Sequence, residues 1–305
     1  MNPSTPDTAR ITPKTPLIPA IKAWELYLND KGRSPNTVKA FLSDVRLLTQ
    51  FMPPDRPLDG ITTNDLNRYF NWMEKERNIP CSPKTLARRI TATKSFFRWL
   101  NQYGVLIIDP AEKVTNRTVV SPLPLVLTDE EINAVLDKAE KHRFGPKPDA
   151  RPYTLLALLM MTGIKKSECL GIHINHIDLS DPSGPFVFIR YASPANRYKE
   201  RKISLDEEWL PAYKEYLVQY QPVDQLFPWS PRRLEYLLED IGSEAALNKH
   251  LSFDMCRWTC ALRDYQYRLD AAKIRQKLGI SRIQWREIHM KLRQLSGHQT
   301  GMQSS

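Results

Sequence analysis

Apolar residues return at helical spacing over most of the chain. Ile21, Trp24 and Leu28 mark one face of a first helix that begins near Ile18 and stops before Lys31-Gly32. Ser34-Pro35, a cap residue followed by proline at the first helical position, opens a second helix whose inward face is Val38, Phe41, Leu42, Val45 and Leu48. A break at Pro53, Pro54 and Pro57 separates it from a third helix, which starts at Thr62 with Asp65 and carries Leu66, Tyr69, Phe70 and Met73. Ser82-Pro83 starts a fourth, with Leu86, Ile90, Phe97 and Leu100 inward and Lys84, Arg88 and Arg89 grouped at its beginning. No segment before Asp109-Pro110 alternates as a strand does.

Helical spacing resumes at Thr128, which with Glu131 forms a capping box ahead of Ile132, Val135, Leu136 and Ala139. Tyr153 to Met161 is almost wholly apolar and reads as a buried helix ended by Thr162-Gly163. The period then drops to two. Phe186–Arg190 and Arg201–Leu205 read as paired strands joined by a polar loop, YASPANRYKE. Helices return at Trp209–Tyr220, after Ser230-Pro231 with Leu234, Leu237, Leu238 and Ile241, at Ala271–Leu278 behind Asp270, and around Ile283, Ile288 and Leu292. The pattern predicts a disordered Pro-, Ser- and Thr-rich leader (1–17), a four-helix domain (18–110), a linker (111–126), a larger domain (127–295) and a flexible tail (296–305). The fold class is mainly α with a small β-hairpin.

Charge adds the partner. The 305 residues carry a net charge of +10, with a pI near 9.4. From Met255 to Gln294, ten basic residues stand against three acids, a net +7 over helical segments, which suits a polyanion better than a small substrate. No run approaches eighteen apolar residues and no signal-peptide pattern opens the chain, so a cytoplasmic protein without a membrane partner is expected. Cys81, Cys169, Cys256 and Cys260 form no Cys-x-x-Cys pair and read as reduced, mostly buried thiols. His173 and His176 are a weak pair on their own. No metal and no cofactor are expected.

Two blocks bring a family into view. The first is Ser34-Pro-Asn-Thr-Val-Lys-Ala-Phe, then Ser82-Pro-Lys-Thr-Leu-Ala-Arg-Arg and Phe96-Phe-Arg-Trp-Leu. The second is Thr162-Gly-Ile-Lys-Lys-Ser-Glu-Cys-Leu, Lys199-Glu-Arg-Lys-Ile-Ser-Leu, Arg257-Trp-Thr-Cys-Ala and Lys277-Leu-Gly-Ile-Ser. In this order and spacing they resemble tyrosine recombinases of the phage-integrase and Xer type over residues 18–294. The resemblance implies an N-terminal SAM-like core-binding domain and a recombinase-like catalytic-type domain that together clamp duplex DNA. It also implies two arginines, a lysine and histidines around the scissile phosphate, which a tyrosine attacks. Planar bidentate donors suit the phosphate oxygens, a proton donor the leaving hydroxyl, and an activated nucleophile the attack.

Carried over by position, the first arginine falls on Lys165, the hairpin lysine on Asn196, and the histidine three places before the second arginine on Asp254. The second arginine is kept as Arg257. The histidine of Leu-Gly-His falls on Ile280, and the tyrosine position, nine residues on, is His289; the last tyrosine of the chain is Tyr267. Lysine lacks the fork that holds two oxygens at once, and loss of one oxyanion donor costs roughly 2.7–4 kcal/mol. The expected function is therefore a DNA-binding protein of recombination or integration that does not itself cleave. Lys84, Arg88, Arg89, Arg197, Lys199, Arg201, Arg257, Arg263 and Arg275 are its candidate DNA contacts. Two alternatives stand beside it. One is an active site-specific recombinase with atypical catalytic residues, His289 attacking phosphorus. The other is an accessory subunit that joins itself or an intact recombinase in a tetramer through residues 283–305. Convergence of Lys165, Arg257 and His289 on one phosphate-sized pocket is the geometric test.

Overall fold

The computed structural model describes residues 11–79, 81–115 and 122–302, the side chains of 195 and 298–302 excepted. The start of the expected leader, the middle of the expected linker and the last three residues lie outside the described residues. The chain divides into two compact units, Met1–Pro122 and Leu123–Ser305.

The first unit is built from α1 (Leu17–Asp30), α2 (Pro35–Arg46), the single turn α3 (Leu48–Phe51), α4 (Thr63–Lys75) and α5 (Pro83–Gln102). Its helix starts follow from local chemistry. The Ser34 and Ser82 hydroxyls accept from the Thr37 and Thr85 N–H groups, each at 3.2 Å, and Thr62 and Asp65 cap each other's backbone at the head of α4. Inside, Trp24 meets Phe96 edge-on at 5.3 Å, and Tyr69, Phe97 and Leu100 are fully buried around them. One expectation is corrected here. Residues 11–16, assigned to the disordered leader, lie against the unit: Pro13 and Thr15 carbonyls accept from the Asp59 and Leu58 N–H groups at 3.0 and 3.1 Å, and Ile11 packs on the core. A proline- and threonine-rich stretch has no helical period, but its extended backbone can still pair with another.

The second unit comprises α6 (Asp129–Lys141), α7 (Arg151–Thr162), α8 (Lys166–Leu170), α9 (Leu210–Tyr220), α10 (Pro231–Glu244), α11 (Phe253–Gln266), α12 (Ala271–Lys277) and α13 (Arg282–Met302). A three-stranded antiparallel sheet, β1 (Ile177–Asp178), β2 (Phe186–Ile189) and β3 (Arg201–Ser204), sits between α8 and α9 in sequence. β2 and β3 pair with Ile189 opposite Arg201 and Phe186 opposite Ser204. β1 was not legible in sequence because two residues carry no period. The loop expected between the strands holds a 3-10 helix over Pro194–Lys199.

α7 is buried on nearly every side, as its unbroken apolar run requires. A smaller apolar cluster joins Leu262 of α11, Ile274 of α12, Leu278, Ile280, and Leu292 and Leu295 of α13. It explains a second correction: α13 does not give way to a flexible tail at 296 but continues to Met302. Once Leu292 and Leu295 are fixed, each further residue adds one helical hydrogen bond at little cost. Among the described residues, no helix is long and apolar enough to cross a membrane.

Candidate phosphate-binding site

α7 ends because Gly163 adopts a left-handed backbone, φ 59°, a conformation that glycine takes without penalty. A Cβ there would stand 3.1 Å from the Cys260 sulfur, so the chain turns tightly against α11 and delivers Lys165 to the head of α8. The Lys165 N–H donates to Glu168 Oε2 at 2.9 Å. Glu168 also takes Arg201 Nη2 at 2.9 Å and Nη1 at 3.1 Å, and it accepts from the Tyr191 hydroxyl. Both side chains of this ion pair are essentially sealed, 2% and 1% exposed. Burial pushes the Glu168 carboxyl up, but the hydrogen bonds and charge of Arg201, with the Lys165 and Tyr191 donors, outweigh it and hold the group below the usual carboxylate range. Arg201 further donates to the Lys277 carbonyl at 2.6 Å and the Lys199 carbonyl at 3.1 Å. One buried guanidinium therefore ties α8, the hairpin and the end of α12 together.

Beside this tie lies a cavity of about 400 Å³ lined by Lys165, Lys166, Glu235, His250, Ser252, Asp254 and Arg257 among others. Ser252 caps α11 by accepting from the Met255 N–H at 3.3 Å, and the first turn brings Asp254 and Arg257, three apart, to the same side. Arg257 donates through Nη1 to the Gly163 carbonyl at 2.5 Å and through Nη2 to the Leu278 carbonyl at 2.7 Å. Burial depresses its pKa. Lys165 is depressed too, first by burial and then by the Arg257 charge. Its ammonium has no hydrogen bond or ion pair among the described residues. Such an ammonium beside a fixed guanidinium can take a phosphate-sized anion, with Lys166 and Glu235, paired at 2.5 Å, on the rim. Ser252→Ala should cost about 1 kcal/mol in a urea melt, the usual value of an N-cap hydroxyl.

The geometric test gives a split result. Lys165, Arg257 and Asp254 share the cavity; His289 does not line it. His289 is exposed on α13, stacked on Trp285 at 5.4 Å and edge-on to Tyr265 at 5.7 Å. Ile280, 7% exposed, belongs to the apolar cluster beneath α13. Asn196 lines a separate cavity of about 820 Å³ with Arg190, Arg197, His173 and His176, and accepts from Lys199 Nζ at 2.8 Å.

Two candidate DNA contacts are corrected. Arg201 is buried against Glu168 and offers nothing to solvent. Arg89, 14% exposed, lies 3.6 Å from Asp44 and reaches Met73 and Cys81 inside the first unit. Arg88 is half exposed, though it donates to Asp44 at 2.9 Å. Arg263 is partly buried, its guanidinium over the Tyr267 ring, and Arg275 is partly buried as well. Lys84 and Arg197 stand exposed.

Sequence reasoning missed Glu168 and Tyr191, and the pair Lys277–Asp264 at 2.8 Å beside Cys260, whose thiol burial raises to about 11. One signal was available for Arg201. On β3, residues 201 and 203 face inward and 202 and 204 outward, so Arg201 shares the buried face with Ile203.

Comparison with known proteins follows the same lines. The family model described as "Phage integrase, N-terminal SAM-like domain" matches residues 21–104, and "Phage integrase family" matches 126–293. A tyrosine recombinase XerC of Mycobacterium sp. (strain JLS) is 30% identical over 162 residues, 52% of this chain and 54% of that protein. XerC of Mycobacterium bovis (strain BCG / Pasteur 1173P2) is 33% identical over 150 residues, 48% and 49% of the two chains. The chain thus spans about half the length of the curated relatives it matches. Among solved structures, XerH site-specific recombinase bound to palindromic difH substrate, a post-cleavage complex, aligns with a TM-score of 0.72 at 18% identity, covering 92% of this chain and 84% of that one. A lambda integrase dimer bound to a COC' core site aligns at 0.68 and 15%, covering 93% and 81%. At those identities the likeness is one of fold.

Proposed function

Because the chain belongs to the phage integrase family of tyrosine recombinases, matched over 126–293, we propose that it binds duplex DNA in recombination or integration without cutting a strand itself. The observation that carries this reading is the composition of the cavity. It offers two cations, Lys165 and Arg257, for a phosphate, and its lining contains no tyrosine. The residue at the nucleophile position, His289, stacks on an indole outside that lining. Asp254 adds an anion where a phosphate would sit, and Ile280 supplies no donor. Binding needs charge in the right place; cleavage needs in addition a nucleophile in line with phosphorus, a proton donor and forked oxyanion donors. The cations serve the first requirement; toward the second, the lining holds one guanidinium fork, Arg257, and no tyrosine to attack phosphorus.

The test uses the full chain. Incubated with supercoiled plasmid and with nicked linear duplexes, it should shift the DNA on a native gel, release it as salt rises, and leave the plasmid supercoiled. No covalent protein–DNA band should survive denaturation. A covalent adduct that disappears in His289→Ala would overturn the reading in favour of an active recombinase with an unusual nucleophile.

A further inference from the structure

Most buried or half-buried cations of the second unit are already matched to acids. Arg143, Arg151, Lys166, Arg201, Lys249 and Lys277 each reach a carboxylate within 2.9 Å. α13 differs. Its acid, Glu287, is taken by Lys291 at 2.8 Å, while Arg282, Arg286 and Arg293 are exposed and have neither a hydrogen bond nor an ion pair among the described residues. At 3.6 residues per turn these three fall within about 40° of one another around the helix, along a line about 16 Å long. His289 lies in the same line. The helix beneath them is held rigid by Leu292 and Leu295, buried to 0% and 8% exposure.

We infer that Arg282, Arg286 and Arg293 form a non-covalent grip on a DNA backbone, on the helix that carries His289 at the nucleophile position. This rests on the reading that the chain binds duplex DNA, and it adds which residues hold it. Three unpaired guanidiniums in a row match a polymer of phosphates spaced along a strand, and forked donors take phosphate oxygens two at a time. A protein-contact surface has a different make-up, with apolar and aromatic residues at its centre and charge at its rim. Ile283 and Met290, 79% and 61% exposed, flank the line on one side and give that alternative its only foothold there among the described residues.

The experiment is fluorescence anisotropy of the full chain on a 30-base-pair duplex of about random sequence, titrated in potassium chloride, with sedimentation velocity on the same proteins. Each phosphate contact contributes about 0.9 to the slope of log affinity against log salt. Arg282→Ala/Arg286→Ala/Arg293→Ala should therefore flatten the slope by about 2–3 and weaken binding more than tenfold at low salt. The corresponding triple lysine variant should recover most of the slope, because it restores charge without the fork. An unchanged slope and affinity in the alanine triple, with the wild type binding normally, would overturn this grip and leave the wider reading intact. Altered self-association with unchanged DNA binding would overturn it in favour of a protein contact. A wild type that binds no duplex would end both.

Discussion

Glu168→Ala should destabilise the protein by about 3–5 kcal/mol, the usual result of removing one partner from a buried ion pair. The deletion leaves the Arg201 guanidinium, 2% exposed, without its carboxylate, and the Tyr191 hydroxyl and Lys165 N–H without their acceptor. Three segments would loosen together, since α8, the hairpin and the end of α12 meet on this pair. Urea unfolding followed by tryptophan fluorescence gives the number; a loss under about 1 kcal/mol would place the pair among the weak surface bridges instead. The effect also has a pH signature. Glu168 is held below its ordinary pKa, so its contribution is fully present above the unfolded carboxylate value, about 4.3, and is lost as pH falls through the lower folded value. The gap between wild type and variant should be widest near neutrality and narrow in acid.

Gly279→Ala should cost about 2–4 kcal/mol through the same guanidinium. Gly279 has φ 59°, which penalises any side chain, and a Cβ there would lie 2.4 Å from Arg201 Nη1 and 2.7 Å from its Cζ. A free arginine would swing aside. This one is held by Glu168 and by the Lys277 and Lys199 carbonyls, so relief from the clash breaks charge-assisted hydrogen bonds. Because both substitutions act on Arg201, the double variant should lose less than the two single losses together, by more than about 0.5 kcal/mol. Strict additivity would mean that Gly279 matters only for its backbone.

How much of this was legible in the sequence depends on the range of the interaction. Helix starts rest on contacts three residues long, and Ser34, Ser82 and Ser230 each cap a helix that their Ser-Pro pairs announce. Gly279 was readable as a helix end, but not as the floor under Arg201, 78 positions earlier in the chain. The partners of the buried cations were hidden for the same reason: Glu168 and Arg201 are 33 residues apart, and Asp44 and Arg88 are 44 apart. Basic residues read one at a time look alike. Lys84 and Arg89 share a helix, yet Arg89 keeps register with Leu86 and Thr93 and turns inward, while Lys84 does not. Position by position, the family resemblance led to Lys165, Asp254 and Arg257, which do share a cavity. The stack of His289 on Trp285 is a pair four residues apart within α13, but the resemblance could not reveal the edge-on contact of His289 with Tyr265, because that depends on how α13 meets α11.

Arg257 spends two of its hydrogen bonds on carbonyls that close separate helices, at Gly163 and Leu278. Neither partner is a carboxylate, so the guanidinium is steered by partial charges, while the nearby acids Glu168 and Asp254 act on its charge without holding it in place. An incoming anion therefore meets a donor whose rotamer is already chosen and whose field is already switched on. Of the acids in that field, Asp254 shares the cavity and is the one that repels the anion.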